Sequence, residues 1–213
     1  MYIPRHNRVE DDEPLFALME QFSFATLVTA GDGAPLATHL PFVLDRACGE
    51  HGMILGHMAR ANGQWRSFLA GAEALVIFQA EHGYISPAWY EVQPSVPTWN
   101  YMVVHAHGTP RIVEEPDRIA ASLRQLVDHH ERGFAEPWDM AVLPEEYVAK
   151  MMRGIVAFEI PITRLEGKFK LSQNRSVEDR RRVVAALAAS GDMVERGLVD
   201  AMRRDLEPSR DED

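Results

Sequence analysis

The stretch FATLVTAGDGAPLATHLPFVL, residues 24–44, contains two runs of strand-forming residues on either side of a glycine-rich turn. Val, Thr and Phe favour strands, and Asp32-Gly33 is a strong signal for a hairpin turn. The stretch therefore predicts a β-hairpin with strands over 24–30 and 35–44. In the second strand, a period of two divides the side chains between two faces. One face carries Leu36, Thr38, Leu40 and Phe42, and the other carries Ala37, His39 and Pro41.

The rest of the chain adds further short strands and helices around this hairpin. Strands are predicted over 52–58, 73–80, 100–113, 154–162 and 167–172. Helices are predicted over 11–22, 115–132, 144–152, 177–189 and 193–206, with a short one after Asn62. There is no βαβ rhythm and no glycine-rich nucleotide motif, which argues against a Rossmann or P-loop fold. The pattern indicates a mainly β protein of the α+β class, an antiparallel barrel with peripheral helices.

Composition and charge restrict the possible functions. The chain has 213 residues, 46% of them hydrophobic and 25% charged, which suits one large globular domain with appended helices. It has one cysteine, Cys48, no recognisable signal peptide and no apolar run of about 18 residues, so we expect a cytoplasmic protein outside the membrane. The net charge of −10 argues against a protein coated for nucleic acid. The basic residues are nevertheless concentrated after residue 149.

The segment LGHMARANGQW, residues 55–65, places polar groups where a strand gives way to a helix. The N-terminus of a helix has unpaired N–H groups and a partial positive charge, and it can therefore hold a phosphate. Arg60 precedes the capping residue Asn62 and suits phosphate oxygens, and His57 adds a polar contact. Taken alone, the segment is better explained as a capped helix beside an exposed arginine.

Two later segments could contact a flat ligand or an anion. In VPTWNYMVVHAHG, residues 96–108, Trp99 offers a ring to pack on and Asn100 an amide that could read a ring edge, although both also suit an ordinary core. The spacing of His105 and His107 is not a zinc pattern, so we expect no metal. In KFKLSQNRSVEDRRRV, residues 168–183, a dense polar cluster precedes a helix capped by Ser176. This cluster is either a second polar site or a solvated loop. No nucleophile–base constellation is visible, so catalytic residues are unknown.

Taken together, five segments of the chain resemble the PaiB family of FMN-binding negative transcriptional regulators. They are ATHLPFVLD (37–45), GHMARANGQW (56–65), ALVIFQAEHGYISPAWY (74–90), VPTWNYMVVHAHG (96–108) and KLSQNRSVEDRRRV (170–183). The resemblance implies an antiparallel split β-barrel related to pyridoxamine phosphate oxidase-like proteins, FMN as cofactor, and a homodimer with the flavin at the subunit interface. It further implies a split-barrel FMN-binding domain over 1–175, a helical extension packed on the barrel over 176–207, and a disordered tail over 208–213.

The resemblance also suggests which residues form the FMN pocket. Thr38, His39 and Leu40 would lie along the flavin, and the phosphate would be held by His57, Met58, Arg60 and Asn62. The pocket would be completed by Trp65, Trp99, Asn100, Lys170, Gln173 and Asn174.

Three functions remain open from the sequence. The first is an FMN-binding regulator that acts on DNA or through a partner. Its candidate DNA surface is the basic helix containing Arg180, Arg181 and Arg182. The second is a flavin-dependent oxidoreductase acting on a small molecule, and the third is a non-catalytic flavin- or haem-related binding protein.

Overall fold

The computed structural model describes residues 1–31, 33–190 and 193–207. The turn residue Asp32 and the predicted disordered tail, 208–213, lie outside the described residues. The strands are β1 Arg8–Val9, β2 Phe24–Thr29, β3 Leu36–Pro41, β4 Val43–Asp45, β5 Met53–Ala59, β6 Ala74–Ile85, β7 Thr98–Gly108, β8 Arg111–Val113, β9 Ile155–Pro161 and β10 Arg164–Lys170. The α-helices are α1 Asp12–Gln21, α2 Pro116–Glu131, α3 Glu145–Met152, α4 Val177–Ser190 and α5 Met193–Leu206. Short 3-10 helices span Arg5–Asn7, Gly63–Ala70, Pro87–Trp89 and Met140–Val142.

The chain forms two compact units. The first unit comprises Met1–Asp11, Gln79–Val104 and Glu166–Asp213, and the second comprises Asp12–Phe78 and His105–Leu165. Strands β6, β7 and β10 contribute residues to both units. These boundaries differ from the division at residue 175 expected from the sequence, which stays a prediction.

The second unit contains two antiparallel sheets. In one of them, β2 lies between β3 and the start of β6, so that Thr26 pairs with His39 on one side and with Ile77 on the other. The other sheet has the order β4-β5-β9-β8. All the pairings in both sheets are antiparallel, which confirms the predicted α+β class with its antiparallel strands.

The core of the second unit is built on aromatic rings that meet at Phe42. The Phe42 ring lies edge-on to Phe78, with centroids 6.0 Å apart, and to Phe158 at 6.3 Å. Gly56 lies beneath this cluster, and a Cβ there would come within 2.8 Å of the Phe42 ring. A residue with a side chain at this position would displace the ring, which is a packing reason for the glycine.

In the first unit, β1, β10, β7 and β6 lie side by side in one sheet in that order, with β1 antiparallel to β10. Helices α4 and α5 supply much of the core of this unit. The helices bury Val183, Leu187, Leu198 and Met202 almost completely. The predicted cap of α4 is confirmed, because the Ser176 hydroxyl accepts a hydrogen bond of 3.1 Å from the backbone N–H of Asp179.

Two strands predicted as continuous are interrupted. The strand predicted over 35–44 is divided at Phe42, which turns its ring into the core while its N–H donates to the carbonyl of Ser23 at 2.9 Å. The strand predicted over 100–113 is divided after Gly108, at Thr109-Pro110. Pro110 has no N–H to offer a ladder, and a Cβ at Gly108 would lie 2.2 Å from the Pro161 carbonyl oxygen.

Strand β6 runs to Ile85, beyond its predicted end at residue 80, and β10 spans Arg164–Lys170 rather than 167–172. The remaining predicted elements lie close to their predicted positions. The helix after Asn62 is of the 3-10 type rather than α. Within the described ranges, none of the helices combines the length and the apolar character that crossing a membrane requires.

Candidate functional site

The 3-10 helix Gly63–Ala70 begins at the predicted capping residue, Asn62, and both ends of its side-chain amide are engaged. Its Oδ1 accepts a hydrogen bond of 3.0 Å from the N–H of Gln64. Its Nδ2 donates to Thr38 Oγ1 at 3.0 Å. Asn62 and Thr38, which were both predicted as site residues, are therefore brought together. Their hydrogen bonds fix the path of the chain as it leaves β5.

Gln64 completes this network and was not predicted. Its side chain is buried, and its Oε1 accepts a hydrogen bond from the Thr38 hydroxyl. Its Nε2 lies 3.2 Å from the carbonyl oxygens of Leu27 and Leu36 and from Thr29 Oγ1. These acceptors lie 28 to 37 residues away in sequence, so no local pattern could have revealed them.

Arg60 lies at the turn before the cap, and its guanidinium is anchored by two backbone carbonyls. Its Nε donates to the carbonyl of Arg153 at 3.0 Å, and its Nη2 to that of Ile155 at 2.8 Å. Trp65 donates from Nε1 to the Arg60 carbonyl at 3.1 Å, which ties the indole to the same turn. The guanidinium is exposed, and its Nη1 makes no hydrogen bond to any residue that the structure describes.

Arg66 is a second exposed arginine at this helix start, and sequence reasoning missed it. Its guanidinium carbon lies 4.9 Å from the centroid of the Trp65 ring. Its Nη1 lies where a side chain at Gly63 would be, 2.9 Å from an ideal Cβ. The absence of a side chain at Gly63 therefore allows a guanidinium to lie beside the first residue of the helix. In the described part of the chain, neither Arg60 nor Arg66 pairs with a carboxylate.

The other residues predicted along the flavin lie on β3. His39 is exposed, and its ring stacks on Phe24 with centroids 6.4 Å apart and 24° between the planes. Leu40 is buried. His39 is thus free to contact a ligand through its outer face, whereas Leu40 belongs to the core of the unit.

His57 and Met58 point to opposite faces of β5. Met58 is only 2% exposed and belongs to the core, so its side chain is not available to a ligand. His57 instead lines a cavity of about 220 Å³ together with apolar side chains that include Leu143, Met151 and Met152. Burial lowers the pKa of His57 below its ordinary value, which favours the neutral imidazole. An apolar cavity with a neutral ring is poorly suited to a phosphate.

In the first unit, the Asn100 amide is turned inward rather than toward a ligand. The residue has no exposed surface, and its Nδ2 donates to Ser172 Oγ at 2.9 Å and to Met202 Sδ at 3.5 Å. Ser172 has a φ of 65°, in the left-handed region that costs a non-glycine residue roughly 1–3 kcal/mol. Its hydroxyl also donates to Asn100 Oδ1 at 3.3 Å, so the hydrogen bonds between the two residues support this backbone conformation.

Trp99, next to Asn100, has the opposite orientation and is 51% exposed. Its ring lies 5.9 Å from His82 and 6.1 Å from Tyr84, measured between centroids. Lys170 donates from Nζ to the Trp99 carbonyl at 2.7 Å and also to the Thr98 hydroxyl. Burial, with a smaller contribution from the charge of Lys168, lowers the pKa of Lys170. The structure thus brings Trp99 and Lys170 together.

The last two predicted residues follow β10. Gln173 closes a turn, because its Oε1 accepts from the Leu171 N–H at 2.8 Å and its Nε2 donates to the Phe169 carbonyl at 2.6 Å. Asn174 is exposed, and its side chain makes no hydrogen bond to another described residue. The amide of Gln173 is therefore used within the fold, while that of Asn174 is available.

Comparisons with known proteins agree with the predicted relationship. The chain is 38% identical over 189 residues to "Protease synthase and sporulation protein PAI 2" of Bacillus subtilis, covering 88% of this chain and 89% of the relative. It is 30% identical over 190 residues to an uncharacterised protein of Emericella nidulans, covering 73% and 76% of the two chains.

Two solved structures share the fold at low sequence identity. The FAD and heme binding protein of Mycobacterium smegmatis has a TM-score of 0.60 and 19% identity, with 87% of this chain and 80% of that chain covered. The flavocytochrome Anf3 of Azotobacter vinelandii has a TM-score of 0.58 and 14% identity, with 79% and 72% covered. The predicted split-barrel class is confirmed by these similarities.

The family model gives the most direct assignment. Residues 1–164 match the model described as "Putative FMN-binding domain", which confirms FMN as the cofactor of the family. The long match to the Bacillus relative, at 38% identity, supports membership of the same family. This chain therefore belongs to the PaiB-type family of FMN-binding proteins.

Proposed function

We propose that this protein binds FMN with the phosphate at the start of the 3-10 helix Gly63–Ala70, where Arg60 and Arg66 supply the positive charge. A phosphate bound there would accept hydrogen bonds from two guanidinium groups and would face the positive end of the helix. Asn62 and Thr38 would hold the helix start in place rather than contact the phosphate, because their side chains already bind each other. Bound FMN would supply a ring system capable of redox chemistry.

One observation carries this proposal: two exposed guanidinium groups flank one helix start without a carboxylate partner among the described residues. Arg46, in the same unit, shows the alternative arrangement. It forms ion pairs with Glu13 at 2.8 Å and with Glu20 at 2.6 Å. Arg60 instead donates two hydrogen bonds to backbone carbonyls. These bonds fix the orientation of its guanidinium but leave the charge available to an anion.

His57 is not part of the proposed phosphate site. Its ring lines the apolar cavity described above, and burial lowers its pKa. A phosphate contact would be expected to raise the pKa of an imidazole rather than lower it. We propose that His57 is a neutral, polar feature of this cavity.

We also propose that the protein is a homodimer. Strand β3 is at the edge of its sheet, and Phe24, Leu36 and Leu69 of the same unit are 66%, 45% and 71% exposed. An exposed edge strand beside apolar side chains is normally covered in a stable protein. A second copy of the chain is the occupant that the family resemblance implies.

For the biological role, we propose negative regulation of gene expression through a partner protein. Direct DNA binding by α4 has little support, because two of its three consecutive arginines are neutralised. Arg180 pairs with Asp205, and Arg182 lies 3.3 Å from Glu91 and 3.7 Å from Glu178. The exposed, free thiol of Cys48 supports a reducing compartment such as the cytoplasm as the place of action.

The phosphate site predicts a difference between FMN and riboflavin, which lacks the phosphate. Arg60→Ala and Arg66→Ala should each weaken FMN binding about tenfold or more, since a hydrogen bond to a charged group is lost, and should leave riboflavin binding nearly unchanged. The measurement is a fluorescence titration with both flavins. Arg124→Ala, an exposed arginine on α2, is the control and should change neither affinity. Equal losses for FMN and riboflavin would show that the arginines do not hold the phosphate.

The dimer predicts a light-scattering mass of twice that of one chain. Phe24→Glu combined with Leu36→Glu should shift the protein toward the monomer, because burying two carboxylates in an apolar interface is costly. Val142→Glu is the control, since Val142 is 69% exposed and lies elsewhere in the same unit. A wild-type mass of one chain at every concentration would rule out the homodimer.

The lowered pKa of His57 predicts a loss of stability in acid. Above the ordinary histidine pKa of about 6.5, both folded and unfolded states hold a neutral ring. Below it, the unfolded state takes up a proton more readily than the folded state does. The free energy of unfolding therefore decreases as the pH is lowered. His57→Leu should therefore reduce the drop in melting temperature between about pH 7.5 and about pH 5.5. The exposed His130 gives the control variant His130→Leu, and an unchanged drop in His57→Leu would contradict the assignment.

Regulation through a partner predicts that the purified protein does not retain duplex DNA in a gel-shift assay, even at low ionic strength. A protein that neutralises several phosphates binds DNA tightly at low salt and loses affinity steeply as salt is added. Retention with such a salt dependence, abolished by Arg181→Ala, would instead establish direct binding through α4.

A further inference from the structure

Three cationic side chains lie on one face of the sheet in the first unit. Lys168 and Lys170 are two residues apart on β10, and side chains at this spacing in a strand share a face. Arg8 of β1 is paired directly with Lys168 in the antiparallel register. Directly opposed residues have Cβ atoms about 4.5–5.5 Å apart, so the charge of Arg8 is held close to that of Lys168.

None of these three cations has a carboxylate partner among the residues that the structure describes. Glu166, two residues before Lys168 on β10, binds the Met1 amino group at 3.0 Å. Lys168 is 9% exposed, and its Nζ lies 5.2 Å from the ring centroid of Tyr101 and 5.6 Å from that of Tyr2. The Lys168 ammonium group makes no hydrogen bond to the described residues, so its contacts there are with two aromatic rings.

This arrangement is costly for a protein that binds nothing there. Like charges placed directly opposite each other in a sheet are destabilising, and a buried ammonium group needs a partner. Cation–π contacts offset only part of the cost of removing an ammonium group from water. The lowered pKa of Lys170, to which Lys168 contributes, is a further sign that the positive charges repel each other. A bound anion would relieve both the repulsion and the missing partner.

The surroundings of the cations favour an anion that carries a flat ring. Lys170 is held against the Trp99 backbone by its 2.7 Å hydrogen bond to the carbonyl oxygen. The Trp99 indole is half-exposed, with Tyr84 edge-on to it at 6.1 Å. Aromatic surface beside positive charge suits a ligand with an aromatic body and an anionic group.

We propose that Arg8, Lys168 and Lys170 form a binding site for a small aromatic anion, a flat ring bearing a carboxylate or a phosphate. The anionic group contacts Lys168 and Arg8, and the ring packs on exposed aromatic surface beside Lys170. This site uses none of the residues of the proposed FMN phosphate site and does not depend on that assignment. Lys170 and Trp99 also belong to the pocket that the family resemblance suggests for FMN, so the site is tested in the absence of flavin.

The chain has three lysines, Lys150, Lys168 and Lys170, which makes the site directly observable. Full-length protein labelled with carbon-13 at lysine Cε is titrated, without flavin and at constant ionic strength, with benzoate, benzamide and inorganic phosphate. Benzoate should shift the Lys168 and Lys170 signals saturably, whereas the exposed Lys150 should not respond. Phosphate should bind about tenfold more weakly than benzoate because it has no ring, and benzamide should give no saturable shift.

Two variants test the assignment of the charge. Lys168→Met should weaken benzoate binding about tenfold or more, since a charged donor is removed from a site with few contacts to water. Lys150→Met should leave the affinity unchanged. If Lys168→Met does not fold, Arg8→Gln, at the exposed position of β1, replaces it, with the same expected direction. The proposal is overturned if no anion shifts Lys168 and Lys170, if benzamide binds as tightly as benzoate, or if Lys150→Met causes the same loss.

Discussion

The buried side-chain amide of Gln64 is the interaction on which the geometry of the candidate phosphate site depends. Its Nε2 is directed at the Leu27 and Leu36 carbonyl oxygens and at Thr29 Oγ1, so it connects β2, β3 and the start of the 3-10 helix. The Thr38 hydroxyl and the Asn62 amide complete the network. A buried amide is stable only when such partners are present, and a network that is fully satisfied specifies a single conformation. The position of Arg60, two residues before the cap, follows from that conformation.

The distribution of charge separates cations that stabilise the fold from cations available to a ligand. The chain carries a net charge of −10, so carboxylates are plentiful. Arg46, Arg118 and Arg180 each pair with one or more of them. Arg60 and Arg66 in the second unit, and Arg8, Lys168 and Lys170 in the first, do not pair with a carboxylate of the described residues. Isolated surface ion pairs contribute little to stability, so folding gives no reason to cluster cations without carboxylate partners. In an acidic protein, such clusters are better explained by the binding of anionic ligands.

The sequence predicted local features well because local chemistry determines them. The cap at Asn62, the cap at Ser176 and most strand and helix positions follow from residue type and periodicity. It also predicted the family, because several motifs occur in order along the chain. The interruption at Phe42 was missed, since it depends on rings of Phe78 and Phe158 that are distant in sequence.

Site residues were harder to predict, because their roles depend on partners that are distant in sequence. Alternation in β7 makes Trp99 exposed and Asn100 buried, but only the structure shows that Ser172, 72 residues away, satisfies the Asn100 amide. Met58 alternates with His57 in the same way and belongs to the core. The significance of Arg66 depends on the close approach permitted by Gly63.

The most direct measurement of FMN binding is the visible absorption of flavin that co-elutes with full-length protein after incubation with FMN. We predict that the protein elutes with one bound FMN per chain. Protein that elutes without flavin absorption after incubation with excess FMN would contradict FMN binding.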